Sequence, residues 1–500
     1  MTSTRSCATF RLLALASLAT AASAQCTYSW PASFNGGASS GVLSGAIYAN
    51  GSVYAGRFTT IGGVAANRIA LWDGSTFSAL GTGTNGDVNE VLVLADGTLV
   101  AGGTFGSAGG NTVNCLARWN GSTWSGFGNG VDALAPFGAN VQALAQLQNG
   151  DLVVGGNFAG VSGTAAANIA RWNGTSWSAL GTGINGSVRD LAVLPNGDLI
   201  ATGSFTNAGG VAAASIARWN GTSWSALGTG LGVFGGSALC VLANGDLVVG
   251  GSFLTAGGVA CNRIARWNGA WSALGTGTNA VVSSLLALPN GDVMAGGLFT
   301  TAGGLAANRL ARWNGSAWSA FPTGLDAAVH EIVQDGTGAV VVGGDFTLAN
   351  GSAAGNLARL VSSCGPSAAS LGAGCVGSGG LNTLTAARLP VVGGAFRGVG
   401  TGMPTLGFVL VATGFTSTSL PLFPLLPQAL PGCTLYASPD VVDVAVPAAG
   451  AVASTLAFPN NPALVGASFF HQYVPMELDL AANITAFTSS NALQVTVGTF

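Results

Sequence analysis

The 500-residue chain contains no lysine; all 15 of its basic residues are arginine. Charged residues make up 7% of the sequence and the net charge is −3, so no basic cluster exists to hold nucleic acid or an anionic membrane surface. Histidine occurs only at His330 and His471, and no C-x-x-C is present. Without paired ligands at metal spacing, and without a D-x-D-x-D-G calcium loop, the sequence predicts neither metal nor cofactor. The apolar run from Leu420 to Leu430 is broken by Pro421, Pro424 and Pro427, which excludes a spanning helix there. No membrane insertion is expected.

Glycine, by contrast, supplies 80 residues, hydrophobic residues supply 49%, and there are 12 tryptophans. Low charge with that much apolar surface predicts a packed β-protein with tight turns rather than disorder. The N-terminus reads as a secretory signal over residues 1–24. Arg5 and Arg11 precede the apolar stretch Leu12 to Ala22, and Ala22-Ser23-Ala24 is a small-x-small cleavage site. The mature chain is expected to start at Gln25 and to be secreted or held at the cell envelope.

Internal repetition dominates residues 25–363. The segment Asn168 to Leu180, NIARWNGTSWSAL, returns almost unchanged from Ser215 to Leu227 and in four further variants. The first Trp of each unit falls at 72, 119, 172, 219, 267 and 313, and Leu360 holds a seventh equivalent place. A G-x-F mark repeats with Phe58, Phe105, Phe158, Phe205, Phe253, Phe299 and Phe346. Each unit parses into four strands. In one unit these are Val188 to Leu194, Asp198 to Phe205, Ile216 to Trp219 and Trp224 to Leu227, with Asn-Gly turns at Asn196-Gly197 and Asn220-Gly221. Asn-Gly suits tight hairpins because both residues tolerate positive φ. Two hairpins in about 47 residues make a propeller blade.

A solenoid is the structural competitor, and the chain ends discriminate between them. The seventh unit stops after its third strand, while Tyr28 to Phe34 supplies an unpaired copy of strand four. Closure of the first strand onto the last unit predicts an all-β, seven-bladed propeller. If Trp30 matches Trp177 and Leu360 matches Trp172, Cys26 and Cys364 face each other across the missing turn, and a Cys26–Cys364 disulfide is expected. The paired tryptophans read as packing rather than ligand contacts.

The motif GGxFTxAGGxAxNxIARWNGxxWSALGxG resembles the repeats of bacterial secreted propellers related to the delta-sixty and kelch or galactose-oxidase-like groups, over Gln25 to about Val361. The resemblance implies architecture. It does not carry a copper activity, because Tyr28, Tyr48, Tyr54 and His330 are too few to supply such a site. The sialidase pattern SxDxGxxW is also absent.

After Cys364 tryptophan disappears and proline rises. Alternating segments such as Leu406 to Ala412 and Ala467 to Tyr473 predict a β-sandwich over residues 364–500, with Cys375–Cys433 as a second disulfide. The ending Ser490-Asn491-Ala492-Leu493 to Gly498 resembles C-terminal modules of exported planctomycete-type proteins, which implies attachment or sorting. Cys115, Cys240 and Cys261 read as small buried thiols.

No catalytic residue stands out. Asp151, Asp198, Asp246 and Asp292 follow Asn-Gly turns and read as strand starts. The Arg before Trp (Arg118, Arg171, Arg218, Arg266, Arg312, with Arg359) reads as a stacked or bonded guanidinium, with an anion-binding ring as the alternative. His330-Glu331 departs from the repeat, either as an acid/base pair or as a partly exposed first-strand position. Sequons at Asn50, Asn120, Asn173, Asn220 and Asn314 coincide with turns. The insertion from Gly126 to Asn140 is the first place to seek a unique site. The expected function is non-catalytic binding of an extracellular protein or glycan by a monomer, with a carbohydrate-active enzyme and a structural surface-layer component as alternatives.

Overall fold

The computed structural model describes residues 28–498 apart from 32–33, 50, 133–137, 233, 322–323, 337, 363–366, 392–393, 432 and 459–463. The signal segment, Cys26, Cys364, Asn50 and the centre of the Gly126–Asn140 insertion lie outside the described residues.

The fold is all-β. Seven four-stranded antiparallel sheets follow one another along the described repeat region. The fourth contains Ser187–Val193, Leu199–Ser204, Ile216–Trp219 and Trp224–Ala226, as the turn signals predict. The first strands of the seven are Val42–Tyr48, Val88–Val93, Asn140–Gln146, Ser187–Val193, Gly236–Val241, Val282–Ala287 and Val329–Gln334. Each packs against the next, and the seventh packs back against the first. The seventh sheet takes its outer strand from the N-terminus: Tyr28–Ser29 pairs with Leu357–Ser362, with Tyr28 opposite Ser362 and Ser29 opposite Val361.

Tryptophan links neighbouring sheets. Trp219 faces Trp224 across strands three and four with ring centroids 5.4 Å apart, and four other units repeat the pair. The strand-four indole then reaches back one sheet. Trp224 Nε1 donates to the Leu180 carbonyl at 2.9 Å, and Trp124, Trp271 and Trp318 make the same bond to Leu80, Leu227 and Leu274. A buried indole N–H needs an acceptor, and here the adjacent sheet supplies it.

The Arg before Trp bonds within its own sheet. Arg218 meets Asp198 at 3.1 Å, Arg171 meets Asp151 at 3.6 Å, and Arg359 meets Asp335 at 2.9 Å; Arg266–Asp246 and Arg312–Asp292 are also paired. The strand-start aspartates are therefore partners of the repeated arginines. Unit one has lost both halves: Leu71 stands at the arginine's place and, by strand register, Gly51 at the aspartate's. In unit two, where Thr98 stands at the aspartate's position, Arg118 lies over the Phe127 ring at 5.3 Å. Tyr28 Oη bonds Arg312 of the sixth sheet and its ring packs edge-on against Phe321 at 5.2 Å.

Two features go beyond the sequence reading. The Gly-rich links between strands two and three are short hairpins rather than loops, such as Asn207–Ala208 with Val211–Ala212. The inter-sheet loops pin them: Asn185 Oδ1 accepts from Thr206 N and Asn207 N, and Asn279 and Asp326 do the same in later units. Every first strand also carries a β-bulge two residues in, as between Val188 and Asp190.

The C-terminal region holds two larger sheets. One contains Ser367–Leu371, Ala492–Thr496, Ser468–Leu478, Gly407–Gly414 and Val441–Ala445; the other contains Thr383–Arg388, Ala395–Thr401 and Ala451–Ala457. They share one core, with Leu384 and Phe396 from the second meeting Val409, Tyr473 and Val495 from the first. His471, wholly buried, joins the sheets: Thr413 Oγ1 lies 2.8 Å from Nδ1 and Ser454 Oγ 2.7 Å from Nε2. Cys375 is disulfide-bonded to Cys433, with Cα atoms 5.5 Å apart.

Candidate functional site

The start of strand one, the end of strand two and the start of strand three come together at one face. The residue before each third strand is left-handed in all seven units: Arg68, Cys115, Asn168, Ser215, Arg263, Arg309 and Asn356 have φ between 60° and 73°. Its N–H bonds the carbonyl of the G-x-F phenylalanine, as Ser215 N does to Phe205 O at 2.9 Å. That bond holds a conformation L-residues adopt at a cost of about 1–3 kcal/mol. The backbone is thus fixed and identical while the side chain is free to vary. The x of G-x-F, beside it, varies too: Arg57, Thr104, Asn157, Ser204, Ser252, Leu298 and Asp345.

These variable places build a charged chain across units seven, one and two. His330 Nε2 lies 2.7 Å from Asp345 Oδ2, Asp345 Oδ1 lies 3.8 Å from Arg57, Arg57 Nε lies 3.6 Å from Asp87, and Arg68 Nε lies 3.8 Å from Asp87. Arg57, Asp87 and Asp345 are each more than 40% exposed, so the pairs are available to a ligand and add little stability.

Three acids follow first-strand bulges and lie close enough to feel one another's charge: Glu90, Asp190 and Glu331. Asp190 accepts from Leu191 N at 2.7 Å and, across to the next sheet, from Leu239 N at 2.6 Å. Ser44 and Ser284 do the same for Val91 N and Ile332 N. Each acid keeps some contact with water yet is surrounded by protein, so desolvation dominates its proton affinity. Burial raises Asp190 to about 7 against the pull of its two N–H donors. Burial, then the Asp190 charge, raises Glu331 to about 8. Glu90 is raised by burial and by the charges of Glu331 and Asp190.

The sequence singled out His330-Glu331 correctly as a departure from the repeat, but the structure separates the two roles. His330 turns to Asp345, while Glu331 lies 3.4 Å from Ser284 Oγ. Arg57, Asp87, Asp345, Glu90 and Asp190 were missed. The signal was available: aligning the units on G-x-F places Arg57 and Asp345 where five other units carry neutral residues. Cys115, Cys240 and Cys261 are buried, and Asn120, Asn173, Asn220 and Asn314 each accept N–H bonds that close their turns. Among the described residues no group of three His, Cys, Asp or Glu is placed to hold a metal. No described helix is long and apolar enough to cross a membrane.

Residues 94–121, 242–272 and 337–362 match the family "Domain of unknown function (DUF5122) beta-propeller". The chain is a β-propeller repeat protein. Solved structures similar to it include a catalytically inactive virginiamycin B lyase from Staphylococcus aureus with quinupristin, at 13% identity and a TM-score of 0.43, covering 67% of this chain and 99% of that one. The extracellular domain of a one component system from B. thetaiotaomicron aligns at 9% identity and a TM-score of 0.40, covering 92% of this propeller chain and 56% of that one. A protein described as a gluconolactonase aligns at 12% identity and a TM-score of 0.34, covering 68% and 93%. No curated protein matches the propeller chain.

Proposed function

We propose that this chain is an exported, non-catalytic binding protein: a closed seven-bladed propeller, kin to delta-sixty and kelch-type propellers, followed by a C-terminal β-sandwich. Closure is supported by the packing of the seventh first strand on the first and by the N-terminal strand in the seventh sheet. The pairing of Tyr28 with Ser362, each two residues along the chain from Cys26 and Cys364, supports the Cys26–Cys364 clasp. The shared core of the two C-terminal sheets supports the sandwich.

The observation that carries the binding role is the His330–Asp345–Arg57–Asp87–Arg68 chain. It breaks a near-exact repeat on one face with alternating basic and acidic groups, of which Asp345, Arg57 and Asp87 stand open to solvent. Alternating guanidinium and carboxylate groups match hydroxyl- and amide-rich surfaces, and so a glycan or an extracellular protein. The test is an array of glycans and extracellular proteins probed with the full chain and with the double variant Arg57→Ala/Asp345→Ala, beside assays for hydrolysis, elimination and bound metal. Binding lost in the variant, without turnover, is expected. Turnover or stoichiometric metal in the wild-type protein would overturn the reading.

A further inference from the structure

We infer that a depression between units four and five binds a neutral sugar ring, stacked on Phe234 and held by serine and threonine hydroxyls. This rests on the binding role proposed for the same face and names the ligand class at a second place on it.

Three departures from the repeat coincide there. The inter-sheet loop from Gly228 to Gly236 is one residue longer than its counterpart from Gly181 to Val188. It carries Phe234 at φ 85° and 68% exposed. A bulky residue in that conformation is strained, and exposure of its ring returns nothing in the free protein. Second, Gly232 replaces the Asn that caps the next hairpin in units such as the one at Asn185, so the loop keeps its backbone bond to Thr255 O but has no side chain there to occupy the space. Third, unit four is the one unit with serine at both variable places, Ser204 and Ser215. Units one, five and six fill the second place with Arg68, Arg263 and Arg309, whose guanidinium groups bond nearby carbonyls. The small pair in unit four leaves a space of about 490 Å³ open against Phe234.

The chemistry of the lining selects the ligand. Ser204, Thr206, Ser215 and Asn185 are polar and uncharged, and no charged residue borders the space. A charged ligand finds no counter-ion there. A pyranose has an apolar C–H face for an aromatic ring and a rim of hydroxyls for hydroxyl partners, and the volume lies within the range of small-molecule sites.

The experiment probes an array of neutral hexose and N-acetylhexosamine oligosaccharides with the full chain, with Phe234→Ala, Phe234→Trp and Ser215→Arg. The last variant installs the residue that units one, five and six already carry, so it fills the space without disturbing the fold. Wild type and Phe234→Trp are expected to bind a neutral oligosaccharide. Phe234→Ala and Ser215→Arg should weaken it by about tenfold or more at unchanged melting temperature. Undiminished binding in both variants would overturn the assignment. So would a wild-type protein that binds a protein or a charged ligand but no neutral oligosaccharide, which would leave the broader binding role standing. No binding to any ligand class would defeat both.

Discussion

The two regions of the molecule keep opposite kinds of titratable group in their interiors. The propeller surrounds three acids, Glu90, Asp190 and Glu331, and raises their proton affinity by desolvation. The C-terminal region buries a base, His471, and lowers its pKa to about 4, also by desolvation. The same physics acts on both, because burial disfavours charge of either sign. The bonding differs. The acids sit on bulges that tie one sheet to the next, whereas His471 is bonded on both nitrogens between two sheets of a single core.

The largest expected effect separates the regions by their crosslinks. Removing the proposed clasp with Cys26→Ser frees a loop of some 340 residues, worth roughly 5–6 kcal/mol in the chain-entropy treatment as an upper value. Cys433→Ala opens the 58-residue loop of the Cys375–Cys433 bridge, worth about 4 kcal/mol on the same basis. Differential scanning calorimetry should show the first variant lowering only the propeller transition and the second only the C-terminal one. A common shift in both would erase the distinction between the regions.

Next is pH. The three acids have folded pKa values above the unfolded range near 4, so their contribution is full below that range and is lost as pH rises toward 7 and 8. His471 has a folded value near 4 against 6.5 unfolded, so its contribution is full above pH 6.5 and is lost as pH falls toward 4. Between pH 4.5 and 8 the propeller transition should move down with rising pH while the C-terminal transition moves up below 6.5. Asp190→Asn together with Glu331→Gln should flatten the first trend, and His471→Gln the second. Parallel trends in the two transitions would contradict this account.

How much of this was legible in the sequence follows the same division. Strand boundaries in the repeat were readable because Asn-Gly turns and G-x-F marks punctuate each unit. The N-terminal outer strand was readable because Trp30 continues the Trp pattern at the wrong end of the chain; the observed register, Tyr28 opposite Ser362 and Ser29 opposite Val361, agrees with the repeat alignment. The bulges were not, since a one-residue irregularity leaves no compositional trace. Without them Glu90, Asp190 and Glu331, each in a different unit, gave no sign of interacting with one another. The hairpins inside the Gly-rich links escaped because two-residue strands of Asn, Ala and Val carry no alternation. The C-terminal strands were only sampled, and the His471 link depends on Thr413 and Ser454, which lie far from it in sequence.

A smaller effect tests how far the repeat governs stability. Arg218→Ala removes a partly exposed partner from the buried Asp198 and should lower the propeller transition by about 1 kcal/mol or less. Unit one already lacks the pair, so Arg171→Ala in unit three should also fold and lower the transition by no more than that. A collapse of the fold in either variant would mean the pair does more than the geometry indicates.

The central claim is that the N-terminal strand closes a ring of seven. Peptide mapping of the secreted protein under non-reducing conditions tests it most directly. The account predicts a crosslinked peptide joining Cys26 to Cys364, with Cys115, Cys240 and Cys261 as free thiols. Free thiol at Cys26 or Cys364, or a bridge from either to another cysteine, would contradict it.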